Sequence, residues 1–202
     1  MTVIPHLVGH PRGATDWTVH MTTAAPSRDR FADIKKATFD HLHAHGCSCY
    51  PYSDGSLLAT LAAAVGARTV VELGTALGYS AAWFASTGAR VHTIDRDPTH
   101  SREARRQLDR HDLADRVELY TGEGTDILQT MPAGHADVAF FDGFAPTRAA
   151  ITALVGALRP GGLLIAGNMT LGGEATPVRA LLATWQYTDL GETVLAVKPK
   201  NT

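Results

Sequence analysis

Cysteine is nearly absent: the 202 residues contain two, Cys47 and Cys49, with one residue between them. That spacing is poorly suited to a structural disulfide. Both are read as free thiols of a reducing compartment, which excludes a disulfide-stapled secreted scaffold. Long hydrophobic runs are missing too. The longest, "LLATLAAAVGA", is too short and too rich in alanine to cross a bilayer. The opening "MTVIPHLVGHPRG" has no basic region followed by a long apolar one, so no secretory signal is expected and the expected location is cytoplasmic. Positive charge is not in excess. Lys and Arg number 18 against 20 Asp and Glu, and the formal net charge of -2 offers no footing for nucleic acid or an acidic membrane. There is no internal repeat and no compositional break that would mark a second large domain. What remains, 45% hydrophobic and 19% charged, is ordinary for one soluble domain with a real core.

The order of elements comes from hydrophobic period. Residues 1–28 carry Pro5, Pro11 and Pro26 and no usable period. They are expected to form an arm, either flexible or laid against the partner of a homodimer. A single domain is expected over residues 29–202, beginning with a helical cap over 29–65. In the cap, Phe31, Ile34, Phe39 and Leu42 recur at near-helical spacing up to Gly46, a fitting C-cap. Asp54 is placed to cap the next helix, "GSLLATLAAAVGA". From Arg68 onward, "RTVVEL", "RVHTID", "RVELYT", "ADVAFFD" and "GGLLIAG" read as strands alternating with amphipathic helices. "WQYTDL" and "ETVLAVKPK" read as a closing hairpin through Gly191. The predicted fold is therefore α/β, Rossmann-like and doubly wound. It has a mostly parallel seven-stranded sheet with an antiparallel edge hairpin and helices on both faces.

The glycine turn after the first of these strands decides what kind of ligand to expect. In "VVELGTALGYSAAW", a G-x-G-x-x-G pattern starting at Gly74 fails at Ala76 and Tyr79, and no lysine is near enough for a P-loop. The pattern present is acid-x-Gly-x-Ala-x-Gly: Glu72, Gly74, Ala76, Gly78. An acid at this point repels phosphate and suits an amine. By itself the stretch can also be read as an ordinary tight turn, so the other strand ends must decide. They are Asp95, placed to accept the hydroxyls of a ribose; Gly122 and Gly124, which leave room for a flat ring; Asp142; and Asn168. Acids at three strand ends with a glycine turn between them match an amino acid joined to a nucleoside, not a pyrophosphate.

These residues resemble the class I S-adenosylmethionine-dependent methyltransferases, in particular the catechol and caffeoyl-CoA O-methyltransferase branch. The segments "VVELGTALGYSAAW", "VHTIDRDP", "DRVELYTGEGTDIL", "ADVAFFDG" and "LRPGGLLIAGNM" run in that family's order from about Asp54 to Lys198. The resemblance implies S-adenosylmethionine as cofactor and S-adenosylhomocysteine as product. Glu72 and the turn Gly74, Thr75, Ala76 and Gly78 would flank the methionine part, and Ser80 would bind its carboxylate at a helix start. Asp95 would hold the ribose, with Arg96 beside the adenine and Gly122, Glu123 and Gly124 along its edge. Asp142 would lie by the sulfonium and amino group as the catalytic candidate.

The chain also departs from the branch. The magnesium-binding Asp-Asn pair of the family stands here as Gly167-Asn168, and its lysine base stands as Ala145. Magnesium is therefore not expected, and an amine acceptor rivals a hydroxyl. A homologue that binds the cofactor without transferring the methyl is a further class, and a nicotinamide or flavin oxidoreductase on the same plan is another. The acceptor is expected to be a small molecule, with Cys49, Tyr50, Tyr52, Ser53 and Asn168 as pocket candidates and a histidine of the same stretch as candidate base.

"HLHAHGCSC" puts His41, His43, His45, Cys47 and Cys49 within nine residues. A zinc site there would require the chain to reverse at Gly46, and His43 would point away from His41 and His45. The stretch is read as polar helix surface, and no metal is assigned. Trp83 is read as core, and the arginine-rich "SREARRQLDRHDLADR" as a solvated helix face.

Overall fold

A computed structural model describes residues 4–6, 20–22 and 29–200. The chain divides into two units, Met1–Arg30 and Phe31–Thr202. In the first, β1 (Ile4–His6) pairs antiparallel with β2 (His20–Thr22). The rest of the expected arm lies outside the described residues.

The second unit opens with α1 (Ala32–His45), which Gly46 ends in the left-handed conformation at φ 62°. There follows α2 (Gly55–Ala64), whose first turn is capped by Asp54 accepting from the Leu57 N–H. The βαβ series is β3 (Thr69–Leu73), α3 (Tyr79–Ala85), β4 (Arg90–Asp95), α4 (Pro98–Arg110), β5 (Val117–Thr121), α5 (Gly124–Thr130), β6 (Ala136–Phe141), α6 (Arg148–Ala157) and β7 (Leu158–Ala166). Then come α7 (Ala175–Leu182) and the hairpin β8 (Gln186–Asp189) and β9 (Val194–Val197). The spatial order is β5-β4-β3-β6-β7-β9-β8, parallel from β5 to β7 and antiparallel at β9 and β8. β7 starts earlier than "GGLLIAG" suggests. Leu158 already pairs with Ala136, and the register shifts before Leu163 meets Val138. Pro160, which has no N–H to donate, lies inside that irregularity.

Alternation along the strands builds two cores. Val70 and Phe140 face one with Phe31, Ile34, Leu58 and Phe84, while Val71 and Phe141 face the other with Ile151, Leu154 and Val178. Trp83, expected in the core, is partly buried and packs edge-on against Phe31 at 5.1 Å on the flank of the first core. Phe39 departs from the expected apolar stripe and is 37% exposed.

The chain runs β3, β4, β5 to one side and then crosses to β6 on the other, so the topological switch lies between β3 and β6. In such sheets the ligand crevice opens at the C-terminal strand ends beside the switch.

Candidate active site at the sheet switch point

β3 and β6 meet very closely at the switch. The Asp142 N–H donates to Leu73 O at 2.8 Å, and Gly74 takes a φ of 99°. A Cβ at Gly74 would lie 2.5 Å from the Asp142 carbonyl oxygen, so this turn admits no side chain. The same approach brings two carboxyls to one place. Glu72 is fully buried; its Oε1 accepts from the Ser80 hydroxyl, and its Oε2 has no hydrogen-bond partner among the described residues. Burial pushes its pKa to about 7, with the Ser80 and Thr93 hydroxyls pulling the other way and Asp95 adding to the rise. Asp142 is held well above the usual carboxylate range by burial and by Glu72, with the Asn168 bond opposing. Two carboxyls that resist ionisation and one oxygen without a partner among the described residues form a polar well suited to a cation. An amine is the group that fits.

Asp95 does more than end a strand. Its Oδ2 accepts from the N–H groups of Thr75 (3.2 Å) and Ala76 (2.9 Å), and its Oδ1 from the N–H of Asp97 (2.9 Å) and from His100 Nδ1 (3.2 Å). These bonds hold the glycine turn in place, with Ala76 at a φ of 44° and the Thr75 hydroxyl 2.7 Å from that of Thr93. Gly78, at φ 90°, packs toward Ala104 of α4. At the end of β5 the Gly122 N–H donates to the Asp95 carbonyl at 2.9 Å, and Gly124 lies against Leu73. Arg96 and Glu123 are exposed on the same rim. The sequence candidates therefore line up in strand order as Gly122–Gly124, Asp95, Glu72 with Gly74, and Asp142. Four adjacent strands span roughly 15 Å, the scale of a nucleoside joined to an amino acid.

On the far side, Asn168, at a φ of 60°, donates through Nδ2 to Asp142 Oδ1 (3.1 Å) and to Gly143 O (2.7 Å). Both acceptors turn the amide nitrogen, not its oxygen, toward Asp142. A Cβ on Gly167 would lie 3.5 Å from Asp142 Oδ1 and 3.6 Å from the Tyr52 ring. Tyr52 stands edge-on to Phe140 and shares a hydrogen bond with Thr193, 2.9 Å between oxygens. The other expected pocket residues are distributed differently. Tyr50 is 66% exposed, Ser53 is exposed with its carbonyl on Lys35 Nζ, and Cys49 is buried in a cluster with His41, Cys47 and His100.

Sequence reasoning missed Phe144, two residues past Asp142 and 66% exposed, and His100, the partner of Asp95. The one local sign of His100 was its place in the first turns of α4, after Pro98. Two surface cavities, of about 510 and 730 Å³, lie elsewhere, lined by Arg68, Arg90 and Arg116 in one case and by Thr125, Arg148 and Glu174 in the other. Neither collects the strand-end groups, so the chemistry points to the switch.

Residues 71–169 match the methyltransferase domain family. The catechol O-methyltransferase of Mycobacterium tuberculosis is 36% identical over 123 residues, covering 59% of this chain and 56% of that protein. The catechol O-methyltransferase of Niastella koreensis is 33% identical over 129 residues, covering 60% and 58%. The chain thus spans less than two thirds of the length of these relatives. Among solved structures, cofactor-bound Rv0187 from MTB superimposes with a TM-score of 0.69 at 26% identity, covering 84% of this chain and 91% of that one. An O-methyltransferase from Bacillus cereus in complex with SAH gives the same TM-score of 0.69 at 24% identity, a likeness of fold, with 86% and 92% covered. The acid-lined turn and these relatives agree: residues 71–169 carry the pattern of the methyltransferase domain, and the chain is similar to the catechol O-methyltransferases.

Proposed function

We propose that the protein transfers a methyl group from S-adenosylmethionine to a hydroxyl of a small molecule, without a catechol-type magnesium centre. The observation that carries this reading is the pair of reluctant carboxyls, Glu72 and Asp142, flanking the Gly74 turn with Glu72 Oε2 unpartnered. The cofactor supplies, when bound, a sulfonium methyl that needs no further activation, so the protein's tasks are alignment, exclusion of water and removal of the acceptor's proton. Glu72 receives the amino group of the methionine part. The Thr75–Gly78 turn, held by Asp95, shapes the wall on which the ribose and methionine lie, and Gly122–Gly124 with Arg96 and Glu123 border the adenine. Asp142 takes the acceptor's proton, because a carboxyl with a raised pKa is a better base near neutrality than an ordinary carboxylate. Tyr52, Tyr50 and the exposed ring of Phe144 offer aromatic surface to a flat acceptor. The names of the relatives favour oxygen over nitrogen as the atom methylated.

The residues do not fit the catechol type of metal site. Gly167 brings no ligand, and the Asn168 amide presents its donor to Asp142. Magnesium selects oxygen ligands. Assayed against a panel of phenols in magnesium-free buffer, the protein is expected to turn over, and added magnesium should leave the rate unchanged. A requirement for magnesium would overturn the metal-free part of this reading.

Asp95→Ala removes the anchor of the turn as well as the ribose acceptor. It should weaken S-adenosylmethionine by about 1.5–3 kcal/mol, the scale of hydrogen bonds to a charged group. Equal affinities of variant and parent by calorimetry would remove Asp95 from the site. Among the described residues no helix is long and apolar enough to cross a membrane, which is compatible with action in the cytoplasm. Residues 1–28 are proposed as an arm that reaches the partner in a homodimer, and the mass in solution of a chain lacking them reads this out.

A further inference from the structure

Outside the cleft, four metal-ligating side chains meet at one point. Ligand atoms of His41, Cys47, Cys49 and His100 all lie within 4.8 Å of one another, and Cys49 and His100 are buried. They converge because Gly46, at φ 62°, reverses the chain after α1 and returns Cys47 and Cys49 beside His41. The fourth member arrives from the first turns of α4. The His41 and His100 rings are 5.3 Å apart in an edge-on arrangement. Two thiols and two imidazoles are the soft nitrogen and sulfur set that zinc takes tetrahedrally. Bonds of about 2.0–2.3 Å from zinc put its ligands roughly 3.3–3.8 Å apart, so the cluster needs to contract by only about 1 Å.

A second observation points the same way. Among the described residues His100 Nε2 is buried and has no hydrogen-bond partner, its contact with Asp97 Oδ2 being 3.8 Å, while Nδ1 faces Asp95 Oδ1 at 3.2 Å. A carboxylate only accepts, so the proton sits on Nδ1 and the lone pair of a neutral ring falls on Nε2. A carboxylate that orients a histidine through its other nitrogen is the usual support of a zinc ligand.

We propose that His41, Cys47, Cys49 and His100 bind one zinc ion as a closed structural site. Binding displaces the thiol protons of Cys47 and Cys49, and the Nε2 proton of His100 where the ring is charged, and no electron is transferred. The ion ties the segment leading to Tyr50–Ser53 to the start of α4. Through His100 and Asp95 it also braces the Thr75–Ala76 turn. The reading of this stretch as polar helix surface suits His43 and His45, which are exposed. The missing ligand was more than fifty residues away and invisible to local spacing.

The untagged chain, purified reduced and without chelator, should carry about one zinc ion by elemental analysis. Replacement with cobalt should give the visible spectrum of a tetrahedral thiolate complex. Cys47→Ser, His41→Gln and His100→Gln should each lose the metal, while His43→Ala keeps it. Circular dichroism will show which variants fold, and the cobalt spectrum of the parent stands independently of them. A reduced parent chain that neither contains nor takes up zinc overturns the proposal, as does zinc retained in all three ligand variants. The readout is metal content, so it does not depend on methyl transfer, and magnesium cannot substitute at sulfur and nitrogen.

Discussion

Asp142→Asn is expected to lower methyl transfer by about 10²-fold or more while leaving the fold at least as stable as the parent, because general bases typically contribute 10²–10⁴-fold. The two effects have one cause. Burial and the neighbouring Glu72 oppose a negative charge at Asp142, so an isosteric amide removes a charge that the folded state disfavours. The new amide can keep its oxygen on Asn168 Nδ2, which goes on donating to Gly143 O, and the Asp142 backbone bond to Leu73 is untouched. Shape is preserved and the proton acceptor is lost. Turnover measured with saturating cofactor beside a thermal melt reads both. A variant that turns over like the parent would show that another group takes the proton.

Gly74→Ala should be the most damaging single methyl in the site. The new Cβ would stand 2.5 Å from the Asp142 carbonyl oxygen and 2.8 Å from its carbon, both backbone atoms that no rotamer change can move. The φ of 99° adds backbone strain of order 1–3 kcal/mol for a residue with a side chain. Relief requires β3 and β6 to part at their ends, which breaks the Leu73–Asp142 bond and separates the two carboxyls. A loss of roughly 3 kcal/mol or more in unfolding free energy is expected, along with loss of cofactor binding. Gly46→Ala makes a useful contrast. It also sits at positive φ but has nothing within 4 Å of a Cβ, so it should pay for strain alone. Equal melting points for the parent and Gly74→Ala would contradict the close approach.

Much of this site was legible because each residue sits at a position that local pattern marks. Apolar runs such as "VAFF" end at the sheet edge, so Glu72, Asp95, Asp142 and Asn168 could be assigned to one rim from strand order alone. Asp54 and Gly46 announced the ends of α2 and α1 by cap chemistry, and Gly191 announced the β8–β9 turn. Partnerships set by tertiary placement could not be read in the same way. The Asp95 carboxylate is taken up by Thr75 and Ala76 N–H groups and by His100, and nothing in the period of "HTIDRDP" reports that. The β1–β2 pairing of three residues each is too short to carry a period among prolines and threonines. Phe39 fits the helical stripe of α1 yet is 37% exposed, since spacing describes a helix face and not what covers it. The Ser80 hydroxyl, expected to meet a cofactor carboxylate, is spent on Glu72, a link across the strand–turn–helix unit.

The most direct test of the account is calorimetric titration of the protein with S-adenosylmethionine, S-adenosylhomocysteine and NAD across pH 6–8. The pKa of Glu72 is raised from 4.5 to about 7. The folded free protein thus holds a proton there that the unfolded chain has lost above about pH 4.5, and its own stability falls as pH rises through that window. A bound ammonium group reverses the preference by favouring the carboxylate. One molecule of S-adenosylmethionine, or one of S-adenosylhomocysteine in its place, is expected to bind per chain. Binding at pH 6 should release a proton, and affinity should rise by up to about tenfold per pH unit below 7 and flatten above. NAD should give no heat of binding. Binding of NAD in preference to both sulfur ligands would contradict the assignment of the cleft. Cofactor affinity that does not change with pH would contradict the role given to Glu72.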